Sequence, residues 1–146
     1  MAGCSWCFLD ASRKRTAFLE EAVERLELGD RVTVVTSRAE EHARVAGERG
    51  AYDLVVARSF ASPGVTAECA APLLRLGGHL VVSEPPSGDP ADRWPSGALG
   101  QLGLGEPAGV VVDGPEPTHL VRIRLETPTA DRYPRRVGIP AKRPLF

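Results

Sequence analysis

The sequence predicts an α/β fold on a mostly parallel, doubly wound sheet. Three observations predict it. β-rich runs alternate with helical stretches in the order β-α-β-α-β-α-β, followed by two further strands close together. The first four runs are continuously apolar, as expected for parallel strands covered on both faces. The stretches between them are long enough for helical crossovers, which place helices on the sheet. A chain of 146 residues suits one domain with one core.

Residues 5–9 read as a short buried strand ending at Asp10. Residues 12–27 read as an amphipathic helix, with Phe18, Leu19, Ala22, Val23 and Leu26 on one face and Gly29 as its stop. The β-branched run 31–35 is the second strand. Ser37-Arg38-Ala39-Glu40 has the pattern of a capping box opening a helix to about Arg49, with Gly50 ending it. Asp53–Ala57 is the third strand. Ser62-Pro63 opens a helix to about Arg75, which Pro72 should kink. Gly77-Gly78 stops that helix before a fourth strand, His79–Ser83. Residues 84–98 read as a loop, with a helical turn near 96–102. Residues 108–112 and 119–125 are predicted to pair antiparallel across the turn Asp113-Gly114-Pro115. Residues 127–146, with four prolines, read as an extended tail.

Composition narrows the function. The chain is 42% hydrophobic and 25% charged, which fits a globular protein. A net charge of −1 leaves any nucleic acid contact to a local patch. No apolar run reaches the roughly 18 residues of a membrane helix, and the N-terminus does not read as a signal peptide. The expectation is a cytoplasmic protein with no membrane partner. The odd count of three cysteines argues for a reducing compartment. Cys4 and Cys7 form a C-x-x-C, but the motif runs into a strand and lacks a second pair for zinc. No metal site is expected. His42, His79 and His119 stand singly, and no catalytic residue can be named among them.

Ligands of open parallel sheets bind outside the carboxyl ends of the strands. Four polar positions fall there: Asp10, Ser37 with Arg38, Arg58 with Ser59, and Ser83 with Glu84. A carboxylate at a strand end can accept both hydroxyls of a ribose, and Asp10 is placed for that. The backbone at Ala39-Glu40, opening a helix, could meet an adenine edge. Arg58 could pair with a carboxylate or shape the substrate pocket. The bland alternatives are that Asp10 or Ser12 caps the first helix, that Glu40 is spent on its capping box, and that Arg58 and Glu84 pair at the sheet rim. No G-x-G-x-x-G occurs; Gly97, Gly100, Gly103 and Gly105 follow a loop rather than a strand.

Three stretches resemble a known family. Leu9-Asp10-Ala11-Ser12-Arg13-Lys14-Arg15-Thr16-Ala17-Phe18-Leu19 looks like the end of the second strand and the following helix of the RsmG (GidB) proteins, which methylate guanine N7 in small-subunit rRNA. Arg31–Val35 through Arg38-Ala39-Glu40-Glu41 resembles their next strand and adenine-contacting turn. Tyr133-Pro134-Arg135-Arg136 through Pro140-Ala141-Lys142-Arg143-Pro144-Leu145 is similar to their C-terminal signature. The resemblance extends over nearly the whole chain and is weakest between 84 and 118.

The resemblance implies a Rossmann-like class I methyltransferase fold over residues 1–126, with the basic tail 127–146 packed on the same domain. It implies S-adenosyl-L-methionine as cofactor, with Ala39 and Glu40 at adenine, Asp10, Ala11 and Ser12 near the ribose, and Arg58 at the methionine or substrate end. The partner would be 16S rRNA in the small ribosomal subunit. Guanine N7 carries its own lone pair, so methyl transfer to it needs alignment rather than a general base.

The sequence departs from the family pattern at its start. The expected N-terminal helices, first strand and glycine-rich loop have no counterpart here. In methyltransferase sheets that strand lies between the equivalents of 5–9 and 53–57, so two apolar strands would keep open edges unless they pair directly, pair with another chain or receive upstream residues. Weak cofactor binding in isolation and self-association through an open edge are the resulting expectations. The alternative reading is a non-catalytic remnant or interaction domain that keeps the fold without a complete cofactor pocket. In the tail, Arg132, Arg135, Arg136, Lys142 and Arg143 cluster around Tyr133. Arg135, Arg136, Lys142 and Arg143 are the expected RNA contacts; the competing reading is a proline-rich strap whose arginines pair with surface acids.

Overall fold

The computed structural model describes residues 3–146. The chain divides into two compact units, one up to His42 and one from Ala43 to Phe146.

The first unit is a β-α-β element closed by a helical turn. β1 (Trp6–Asp10) and β2 (Val32–Thr36) pair in parallel, Trp6 opposite Val32 and Asp10 opposite Thr36. α1 (Arg13–Arg25) makes the crossover. Ser12 is its N-cap, the hydroxyl accepting the Arg15 N–H at 3.5 Å. The expected apolar face of α1 is not its buried face. Thr16 is the buried residue of this helix, its hydroxyl 2.7 Å from that of Thr36, whereas Phe18 stays 68% exposed. α2 (Ala39–His42) is a single turn rather than the predicted helix to Arg49. The cap also differs from the predicted box. The Ser37 hydroxyl donates to its neighbour's carbonyl, and Glu41 receives the Arg38 N–H at 3.4 Å.

The second unit holds a four-stranded sheet in the order β3-β4-β6-β5. β3 (Tyr52–Ala57) runs parallel to β4 (Leu74–Ser83), and β6 (Thr118–Arg124) is antiparallel to both β4 and β5 (Ala108–Val112). The predicted antiparallel pair is therefore present. The crossover from β3 is α3 (Pro63–Ala70), entered at Ser62-Pro63 as predicted. Pro72 does more than kink it: a 3-10 turn over Ala71–Leu73 replaces the α-helix there.

Gly77-Gly78 does not stop a helix. β4 already starts at Leu74, and the two glycines form an irregularity inside it, where the register jumps from Tyr52 opposite Leu74 to Leu54 opposite His79. Gly77 has φ +81°, and a side chain on Gly78 would press on the carbonyls of Tyr52 and Asp53 at 3.0 Å. A short helix, α4 (Pro90–Arg93), lies in the region read as a loop, and α5 (Ser96–Gly100) is the helical turn expected near 96–102. The tail contains one helical turn, α6 (Ile139–Lys142).

The core of this unit gathers Leu80 and Val82 of β4, Val121 and Ile123 of β6, Ala67 and Ala70 of α3, and Trp94, Leu99 and Leu102 from the segment between β4 and β5. The described residues thus form a two-stranded and a four-stranded sheet, in which β1 pairs with β2 and β3 with β4. No helix among them is long and apolar enough to cross a membrane.

Candidate functional site

In the first unit, the carboxyl ends of β1 and β2 lie side by side. The Ser37 N–H donates to the Asp10 carbonyl at 3.1 Å, so the residues after both strands share one edge. The Asp10 carboxylate is doubly held there. Oδ1 accepts the Ser12 N–H at 2.7 Å, and Oδ2 accepts Arg15 Nε at 2.7 Å. The Arg15 side-chain hydrogen bond, then the Ser12 N–H, hold its carboxyl below the usual aspartate range. Asp10 is therefore an ionised group of fixed direction and half-buried setting. Each oxygen keeps a second acceptor position for a ligand hydroxyl. Ser12 caps the helix by accepting the Arg15 N–H, and Asp10 accepts one backbone and one side-chain donor, so capping still leaves acceptor positions on Asp10.

Ala39 and Glu40 open α2 directly after this edge, and Glu40 is buried. The donor chemistry of this edge is that of a site for a hydroxyl-bearing ligand: one fixed carboxylate, beside a helical turn in which Glu40 and His42 are buried and Glu41 is exposed. His42, also buried, approaches Cys7 Sγ through Nε2 at 3.9 Å. Cys4 and Cys7 are free thiols, and no group of three metal-ligating side chains occurs among the described residues.

In the second unit, Arg58 follows β3 and Glu84 follows β4. They do not form the rim ion pair considered for them. Glu84 pairs instead with Arg93, Nε to Oε2 at 3.0 Å, and its Oε1 accepts the Trp94 indole N–H at 3.1 Å. Next to Arg58, Ser59 sits in the left-handed region at φ +50°, a conformation that costs a non-glycine residue free energy. Ser59, Phe60, Pro63, Ser83, Glu84 and Trp94 line a cavity of about 300 Å³ at these strand ends. Arg93 and Trp94 carried no sequence signal, since they stand in a Pro- and Gly-rich stretch without periodicity.

The tail is fixed by buried polar contacts. Arg135 gives Nε and Nη2 to the Glu68 carboxylate, and its backbone N–H donates to the same group. Glu68 lies inside α3 with no solvent exposure. The Glu68 hydrogen bond also raises the Arg135 pKa above its ordinary value. Arg49 reaches the carbonyls of Tyr133 and Thr129, and Arg44 that of Pro134. Of the four tail cations expected at RNA, Arg135 is thus committed to a buried partner. Its Nη2 also donates to the Arg143 carbonyl at 2.7 Å, which shapes the backbone carrying the others.

This sheet order, with helical crossovers and polar groups at the strand ends, defines an α/β protein of the class I methyltransferase fold. Solved structures share it. A cofactor-bound protein, Rv0187 from MTB, matches with a TM-score of 0.58 at 22% identity over 84% of this chain and 62% of its own. An O-methyltransferase from Bacillus cereus, solved in complex with SAH, matches with a TM-score of 0.60 at 18% identity over 86% of this chain and 64% of its own.

The model of the rRNA small subunit methyltransferase G family (GidB) matches residues 3–84, and the chain belongs to that family. Proteins named ribosomal RNA small subunit methyltransferase G from Chloroflexus aggregans and Deinococcus radiodurans are 42% and 39% identical to it. Each alignment covers 94% of this chain, and 58% and 55% of the respective relative. The chain spans little more than half the length of these curated relatives.

Proposed function

We propose that this chain serves S-adenosyl-L-methionine-dependent methylation of 16S rRNA at N7 of a guanine. The observation that carries the reading is the Asp10 carboxylate, fixed and ionised at the end of β1 beside the turn that bears Ala39 and Glu40, in a chain of this family. S-adenosyl-L-methionine supplies an electrophilic methyl group when bound. Asp10, with Ala11 and Ser12 beside it, would hold the ribose through the acceptor positions left open by Ser12 and Arg15. Ala39 and Glu40 would meet the adenine. Arg58, at the end of β3, would meet the carboxylate of the methionine moiety or the substrate.

Guanine N7 is a nucleophile without deprotonation, so these residues need only bind, align and exclude competitors. No acid–base pair is required of them. The RNA would be held by Arg136, Lys142 and Arg143, with Arg135 positioning the strap that carries them. Phosphate contacts of this kind set affinity and register rather than base identity.

The test is made in the source cells. Deleting the gene should remove N7-methylguanosine from 16S rRNA, as read by mass spectrometry of nuclease digests, and restoring the gene should return it. Restoring an Asp10→Ala form should not. An rRNA whose N7-methylguanosine content is the same with and without the gene would overturn the proposal.

A further inference from the structure

The cavity at the ends of β3 and β4 contains a carboxylate with an unusual setting. Glu84 is 8% exposed at its side chain, yet it lines an open cavity. Both oxygens already accept one donor, Oε1 from the Trp94 indole and Oε2 from Arg93. The backbone of Glu84 is also tied down, its N–H donating to the His119 carbonyl at 2.8 Å. The carboxylate is thus held at both oxygens, on a backbone that is itself anchored. Two oxygens offer about four acceptor positions in all, so one per oxygen remains.

Two parallel acceptors at fixed spacing match two parallel donors. Among the four RNA bases only guanine presents adjacent N–H donors on one edge, at N1 and the exocyclic N2. Adenine and cytosine set a lone pair beside their amino group, and uracil flanks its single N–H with carbonyls. Each of those edges would bring a lone pair against the carboxylate. The cavity, about 300 Å³, lies at the small end of the range for ligand sites, which suits a single base rather than a folded nucleotide. Phe60, 54% exposed on its wall, offers a ring face for stacking.

We propose that Glu84 is a specificity-determining residue that selects guanine by accepting its N1–H and N2–H donors in this cavity. The proposal rests on the guanine-methyltransferase reading and names the group that reads the base. It also explains why a carboxylate suits a site for N7 chemistry. The N1–N2 edge and N7 lie on opposite sides of the purine, so holding one leaves the other open to approach. A base in this cavity must leave its helical stack, as bases do when enzymes act on them.

The test uses the 146-residue chain and free nucleosides as probes. The indole N–H signal of Trp94 in a ¹H–¹⁵N spectrum reports on the cavity, since that N–H is bonded to Glu84. Guanosine should shift it with at least tenfold higher affinity than adenosine. Inosine, which keeps N1–H and lacks the N2 amine, should fall between them. Glu84→Gln should abolish the preference, because an amide cannot accept through both of its heavy atoms.

If that variant loses its folded spectrum, Phe60→Ala decides. This exposed side chain should be removable without unfolding, and guanosine affinity should drop about tenfold with loss of one stacking contact. Equal affinity for guanosine and adenosine, a preference that survives Glu84→Gln, or an unaltered affinity in Phe60→Ala would overturn the proposal. Binding here requires neither cofactor nor methyl transfer. A failed rRNA result in cells would sink the methyltransferase reading and leave the nucleoside preference standing, and the reverse also holds.

Discussion

Arg135 lays its guanidinium against the carboxylate of Glu68, with Nε at 2.9 Å from Oε1 and Nη2 at 2.6 Å from Oε2. The two residues are 67 apart in sequence, one in the middle of α3 and one in the tail. The pair is the main polar link between that helix and the strap, and Glu68 has no water to fall back on. Removing one partner from such a pair strands the other. Glu68→Ala should therefore destabilise the second unit by roughly 3 kcal/mol or more, as expected for a buried pair broken on one side. A denaturant unfolding curve checks it. Replacing both residues by leucine should recover part of the loss, and a double variant as unstable as the single one would show that the pair is not coupled.

Asp10 predicts a pH dependence. Its folded pKa lies below the ordinary aspartate value of 3.8, through Arg15 and then the Ser12 N–H. The folded state therefore binds this proton less readily than the unfolded chain does. The stabilisation is fully present above the unfolded pKa and is lost as pH falls through the folded one, a window that lies wholly on the acid side of 3.8. Asp10→Asn should lower the stability of the first unit at neutral pH, change it little below the folded pKa, and so flatten the acid limb of its stability profile. Direct titration of the Asp10 carboxyl by NMR checks the direction.

The hydroxyls of Thr16 and Thr36 meet at 2.7 Å between α1 and β2. Thr16→Val keeps the shape and leaves the Thr36 hydroxyl without that partner. A loss of about 1 kcal/mol or less is expected, the usual net worth of one hydrogen bond, because Thr36 is exposed and its hydroxyl can turn to water. Thermal unfolding of the two proteins measures it. No change would mean that water replaces the contact.

The tail cations should separate into two kinds. Arg136→Ala and Lys142→Ala should each lower RNA affinity and reduce the salt dependence of binding by about one in the log–log slope. Arg135→Ala should instead lower stability, since its guanidinium is held by Glu68. Binding measured over a salt series, beside melting curves, distinguishes them. Equal salt slopes for wild type and both surface variants would argue against phosphate contact by the tail.

The elements were legible in the sequence wherever periodicity and caps agreed. Ser62-Pro63 opened α3, the apolar runs became parallel strands, and Asp113-Gly114-Pro115 lay between antiparallel partners. However, β1, β2 and β3 are not covered on both faces as expected, with Phe8, Leu54 and Val56 exposed. The misreadings have local causes. Gly77-Gly78 looked like a helix stop because the helix was expected to reach about Arg75; it ends instead in the 3-10 turn at Ala71–Leu73, and the strand absorbs both glycines as an irregularity. α2 stopped after one turn, although the sequence carries helix formers to Arg49.

The strand ends could be found by position: in the first unit Asp10 ends β1, and in the second Arg58 follows β3 and Glu84 follows β4. Their partners could not. The Glu84 contacts depend on Arg93 and Trp94 folding back from a stretch that has no pattern of its own. Glu68 was hidden for the opposite reason: a glutamate in a helix reads as a solvated side chain, and only the tertiary fold turns it inward.

The two tryptophans of the chain fall one to each compact unit, Trp6 in β1 and Trp94 in the core of the second. Trp94 is 1% exposed, whereas Trp6 is 37% exposed. Their emission should differ in wavelength and in access to a soluble quencher such as iodide. The molecule thus carries its own pair of optical gauges, and Trp6→Phe would leave one that follows the melting of a single half.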